Sequence, residues 1–136
     1  MSMDEGLQST EVSVIKNARA VAKGQVTKVV NLLDNLLLQN TDGSFIFDEI
    51  DNATVGEAHA NLLTSYDKFQ DLHERYIYYA RLEEDENEKR YTKNVAEAFS
   101  AANRKYVRYK KSSDKLEADK KAASEAAKIK RKMKTN

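Results

Sequence analysis

The residue types able to do chemistry are few in this sequence, and they are poorly spaced for it. The two histidines, His59 and His73, stand fourteen residues apart in a helix-patterned stretch. At about 100° per residue that step nearly restores the helix face, but the rise parts the two rings by about 21 Å. They cannot share a metal within one chain, and each reads as a helix-surface or boundary residue. Asn40-x-Asp42-Gly43 followed by Glu49 imitates part of a calcium loop, with Gly43 at the sixth place. The first ligand place, however, holds Leu38, so the stretch reads as a turn that closes a helix. Carboxylates abound, but none is spaced with a His or a Lys in a catalytic pattern. No Gly-rich phosphate loop, HExxH or nucleophile elbow occurs. The expectation is a non-enzyme with no cofactor and no metal.

Cationic residues are the more informative group. Arg104, Lys105, Arg108, Lys110 and Lys111 form one cluster, and Lys128, Lys130, Arg131 and Lys132, with Lys134, form another. Such clusters bind phosphates nonspecifically and with steep salt dependence, unless they only solvate the end of the chain. From Asn103 to Asn136 there are 13 Lys/Arg against 4 Asp/Glu, whereas the preceding 102 residues hold 10 against 18. This asymmetry describes an acidic helical body with a basic tail. Seven tyrosines could offer stacking platforms for bases, but at helical spacing they read as core and interface residues. Tyr78 is the one expected to be exposed, since Tyr76 and Tyr79 take the apolar stripe.

The elements that must position these groups are helices. The chain has 136 residues, no Pro, four Gly and no Cys, with 33% charged and 40% hydrophobic residues. A length of this order supplies one domain, and such a composition favours long helices around a narrow core. The absence of Cys excludes disulfides and thiolate zinc sites and fits a reducing compartment. No run reaches the roughly 18 apolar residues of a membrane span, and MSMDEGLQST does not read as a signal peptide. The expected location is intracellular, cytoplasmic or nuclear, and not secreted.

Residues 1–9 read as a frayed N-terminus, 10–111 as the helical domain and 112–136 as a basic C-terminal tail, either a solvated helix or disordered. Helices are expected over about 10–39, 54–83 and 88–111. Gly24 inside the first implies a close helix approach. Thr54-x-x-Glu57 reads as a capping box opening the second. Phe45, Ile46, Phe47 and Ile50 lie on a connector that folds back over the helix ends, and a strand there would lack a partner. Leu33, Leu36, Leu37, Leu62, Phe69, Tyr76, Tyr91 and Phe99 lie on apolar helix faces and are the candidate interaction surface. The stretch from Glu83 to Glu88 holds five acids and lacks an apolar anchor. A turn near residues 84–88 gives a three-helix up-down bundle, whereas a continuous helix gives an antiparallel hairpin seeking a partner chain. Both outcomes are all-α.

The segment VIKNARAVAKGQVTKVVNLLDNLLLQ resembles the first helix of the N-terminal Gag domain of BEL/Pao-type retrotransposons. Arg19, Lys23, Thr27 and Leu33 stand where that pattern has a basic residue, Thr and a Leu-rich end. The segment from Leu62 to Phe99 resembles that domain's second helix, acidic break and third helix with an early aromatic, here Tyr91. The likeness spans about Val14 to Tyr106. It implies a non-catalytic, Gag-like coiled-coil module for self-association and particle assembly. The partner is then a second copy or another helical protein, with no transmembrane segment involved. Two alternatives stand beside it: a nucleic-acid-binding protein that uses the basic tail, and a coiled-coil adaptor at anionic membranes.

Overall fold

The computed structural model describes residues 3–80 and 86–135, with side chains over 10–80 and 86–133. These residues form three long α-helices and a short 3-10 turn, with no strand beyond an isolated bridge. The helices are α1 (Met3–Leu36), α2 (Asn52–Ala80) and α3 (Glu86–Thr135), with the 3-10 turn at Phe47–Glu49. The chain is all-α, as its composition implies.

Each helix buries the stripe that its spacing paints. Ala22, Val26, Leu33 and Leu37 come from α1 and the residue just beyond it, Val55, Ala58, Leu62 and Phe69 from α2, and Val95 and Tyr109 from α3. Leu33, Leu62 and Phe69 are at most 1% exposed, and burial of such side chains stabilises by about 1.5–3 kcal/mol each. α1 packs chiefly on α2 and less on α3. Arg19 reaches His73, so α2 runs antiparallel to α1. His59 meets Asn103 and Tyr66 meets Phe99, which makes α3 antiparallel to α2. Of the turn expected near 84–88, residues 84 and 85 lie outside the described residues, and 86–88 already belong to α3.

Several local expectations are corrected. α1 begins at Met3, within the stretch expected to fray, and ends at Leu36. Asp51, not Thr54, caps α2: its Oδ1 accepts from the backbone N–H of Ala53 at 3.0 Å and of Thr54 at 3.4 Å. These bonds, with that of Thr54 foremost, hold its carboxyl below the usual carboxylate range. A Cβ built on Gly24 would meet nothing within 4 Å, so no close helix approach explains that glycine. Leu32 and Leu38, in the Leu-rich stretch where α1 ends, are 46% and 38% exposed.

The connector does have a pairing partner, in the residues just before it. Asn40 N–H donates to Ser44 O at 2.7 Å and Ile46 N–H to Leu38 O at 2.9 Å, bridging Gln39 to Phe45. Gly43 turns the corner at φ +88°, a value that favours glycine. Asp42 Oδ1 accepts from Ser44 N–H and from Ser44 Oγ–H, so the would-be calcium carboxylate is engaged within its own turn. Beyond it, Phe45 and Phe47 close on Tyr109 of α3, with ring centroids at 5.5 and 5.9 Å. This clasp buries Tyr109 to 2% exposure.

Candidate functional site

Two features stand apart from ordinary helix packing. The first is a buried polar hub where the three helices meet. Arg19 lies in line with the apolar positions Ile15, Ala22 and Val26 of α1, so packing carries it inward. It is 5% exposed. Its Nη1 lies 2.7 Å from Glu88 Oε2 on α3 and 2.9 Å from His73 Nδ1 on α2. Its Cζ also stands 4.3 Å from the ring centroids of both Tyr76 and Tyr91. Arginine only donates, so His73 Nδ1 accepts and the ring proton sits on Nε2.

Desolvation of a guanidinium is costly unless it is paired and hydrogen-bonded. Glu88 supplies the charge, while the tyrosine faces add cation–π attraction worth up to about 2 kcal/mol when desolvated. Arg19 Nε is buried with no hydrogen-bond partner among the described residues, so the compensation they give is incomplete. Burial raises the Tyr91 hydroxyl above its usual range, and the Arg19 charge offsets this in part. Lys23 Nζ adds a second cation, 4.6 Å from the Tyr91 ring.

Of the two histidines, only His73 departs from the boundary position expected of it, being 8% exposed, whereas His59 is half-buried. His73 belongs to the hub. His59 stacks on Tyr106 with centroids 3.6 Å apart, and its Nε2 lies 2.8 Å from Asn103 Oδ1. An open groove of about 470 Å³ between α2 and α3 runs beside the hub, lined by Tyr66, Gln70, His73, Glu74 and Lys89 among others. Among the described residues no group of three or more His, Cys, Asp or Glu is placed to hold a metal.

The residues expected to form an apolar interaction surface are placed inside. Leu33, Leu37, Leu62, Phe69 and Tyr76 are buried, and Leu36, Tyr91 and Phe99 are half-buried against them. They join the helices of one chain, with Leu36, Tyr91 and Phe99 still partly open to solvent. Tyr79, expected on the stripe, is 50% exposed and meets Tyr78 edge-on, itself 76% exposed.

The second feature is the length of α3. It holds 50 residues against 34 in α1 and 29 in α2. Ser113 is its last buried residue and Leu116 its last half-buried one, and every side chain from Glu117 to Met133 is exposed. The segment beyond residue 111 is therefore helical through Thr135 and leaves the body as a bare arm. Lys128, Lys130, Arg131 and Lys132 lie on this arm, whereas Arg104, Lys105, Arg108, Lys110 and Lys111 lie on the body portion of α3. Lys105 Nζ pairs with Asp34 of α1 at 2.6 Å, and Lys110 Nζ with Asp114 at 3.2 Å. No described helix is long and apolar enough to cross a membrane.

Comparison with models of known protein families, with curated proteins and with solved structures finds no match.

Proposed function

We propose that this chain is a non-enzymatic helical assembly module of the Gag type, acting through contacts with copies of itself. In this reading the body is an up-down-up three-helix bundle, and the α3 arm is the element that reaches a partner. One observation carries the proposal: every side chain from Glu117 to Met133 is exposed on a continuing helix. A helix of roughly this length is marginal in water without tertiary cover, because most helical stability comes from packing an amphipathic face. Ala118, Ala122, Ala126, Ile129 and Met133 recur on one side of the arm in steps of three and four, and this is the stripe a second helix would cover. Ile129 and Met133 are 58% and 74% exposed.

Sedimentation velocity on the full chain across a wide concentration range tests the reading. The expected result is a concentration-dependent rise in mass that Ile129→Glu with Met133→Glu abolishes. A strict monomer at the highest concentration would refute it.

A further inference from the structure

Four cations stand in line on the side of α3 turned away from the core. Arg104, Arg108, Lys111 and Lys115 follow one another in steps of four, three and four, and all are exposed. That spacing places them on one helix face, whereas Val95, Ala102, Tyr106 and Tyr109 take the face against the body.

The ion pairs of α3 leave this line untouched. Lys105 pairs with Asp34 and Lys110 with Asp114 on its flanks, and Lys93 pairs with Glu97 on the same face but beyond its N-terminal end. None of the four pairs with a described residue. Like charges at these spacings disfavour the helix, and no carboxylate within the line offsets them. Asp119, one turn beyond Lys115, closes the line. The sequence cluster 104–111 is thus sorted by the fold: two of its cations are spent inside the chain, and three join Lys115 in an unneutralised ridge.

We infer that this ridge is a docking site for the sugar-phosphate backbone of nucleic acid. Eleven residues of helix span about 16 Å, the length over which one strand of a duplex presents about five phosphates. Two of the four groups are arginines, whose planar fork suits bidentate contact with phosphate oxygens. A helix that lies on an anionic membrane sets an apolar face beside its cations and sinks it among the lipids. Here the flanking positions include Ala101, Asn103, Ser112 and Asp114, the last paired with Lys110, with Val107 the one large apolar neighbour, at 39% exposed. The first 102 residues carry an acidic excess, 18 Asp/Glu against 10 Lys/Arg. That excess repels a polyanion from the rest of the body and turns the ridge toward it. The ridge reads no base, so binding is independent of sequence and steep in salt.

The test uses the full chain and labelled random-sequence oligonucleotides, single-stranded and duplex, with affinity measured by fluorescence anisotropy over a salt series. One variant carries R104Q, R108Q, K111Q and K115Q. The comparison variant carries K128Q, K130Q, R131Q and K132Q on the arm. Glutamine keeps helix propensity, and circular dichroism verifies that both variants fold. Loss of four phosphate contacts should flatten the slope of log K against log salt by about 3.6 for duplex or about 2.8 for single strands. Supporting results are that flattening in the ridge variant, with a lesser change or none in the arm variant. The inference is overturned by no binding at low salt, by an unchanged slope in the ridge variant, or by loss confined to the arm variant. Flotation with phosphatidylserine vesicles but no binding to oligonucleotide overturns it in favour of lipid. Sedimentation of the ridge variant reads the assembly proposal separately, since the ridge does not include Ile129 or Met133.

Discussion

Arg19 and Glu88 meet across 2.7 Å from α1 to α3, although sixty-nine residues separate them in the chain. Arg19 is the more deeply buried of the two, its side chain 6% exposed against 18% for Glu88, so removing Glu88 leaves a guanidinium charge in a largely dry site. Glu88→Ala is expected to destabilise the fold by about 2–4 kcal/mol, toward the range for a broken buried pair. Arg19→Met removes the charge together with its demands and should cost less. A double-mutant cycle read by urea unfolding should return a coupling of about 1–3 kcal/mol. Additive single effects would show that the pair contributes nothing beyond packing.

Gly24 is the opposite case, a residue whose replacement should help. It lies inside α1 with open space where a Cβ would stand. Gly24→Ala is expected to stabilise by about 0.5–1 kcal/mol, because glycine loses more backbone freedom on folding. Gly43→Ala should destabilise, since its φ of +88° is strained for any residue with a Cβ. Thermal unfolding of the two variants should move the midpoint in opposite directions.

Alkaline pH should weaken the fold through two tyrosines. Burial raises the hydroxyls of Tyr91 and Tyr109 above the usual range. A folded value raised above the unfolded one means that the stabilisation is fully present below about pH 10, the unfolded tyrosine value. It is then lost as pH rises through the folded values. Helix content followed by circular dichroism should fall in that window, and Tyr91→Phe with Tyr109→Phe should move the transition to higher pH. An unchanged transition would assign alkaline unfolding to other groups.

The start of α2 gives a test of which residue caps it. Asp51→Ala should lower the melting temperature at neutral pH, and Thr54→Ala should lower it less, because the Asp51 carboxylate accepts the first N–H bonds while the Thr54 side chain only adds to them. The Asp51 value is lowered in the fold. Its contribution is therefore present above about pH 3.9, the unfolded aspartate value, and is lost as pH falls through the lower folded value. The gap between the parent chain and Asp51→Ala should close on acidification. A constant gap would mean that the effect is not charge-borne.

The apolar stripes made the helices and most of the core legible, since Val26, Leu33, Leu62 and Phe69 are buried where their spacing sets them. Whether those stripes faced inward or toward a second chain was not legible, because periodicity marks a face and says nothing of what covers it. The hub was hidden for a different reason. Arg19, His73 and Glu88 are polar residues on apolar lines, and a charged residue on such a line reads as a break in the stripe until its partners are seen. The Gag resemblance marked Arg19 by position and gave it no role. The cap was misassigned because Asp51 and Thr54 both suit an N-cap, and the competing choices differ by one turn. The ridge needed the ion pairs of Lys105 and Lys110 to separate it from the surrounding cluster, and one of those pairs crosses helices.

The clasp of Phe45 and Phe47 on Tyr109 lies close to where α3 leaves the body. From Tyr109 the helix runs on through Thr135, a lever of about 39 Å. Mechanically the molecule is a cantilever. A sideways load at the tip arrives at these three rings with a long moment arm, whereas the Arg19 hub, near the opposite end of the body, lies beyond the fulcrum and bears little of it. Whatever holds the arm acts first on a connector of two aromatic residues.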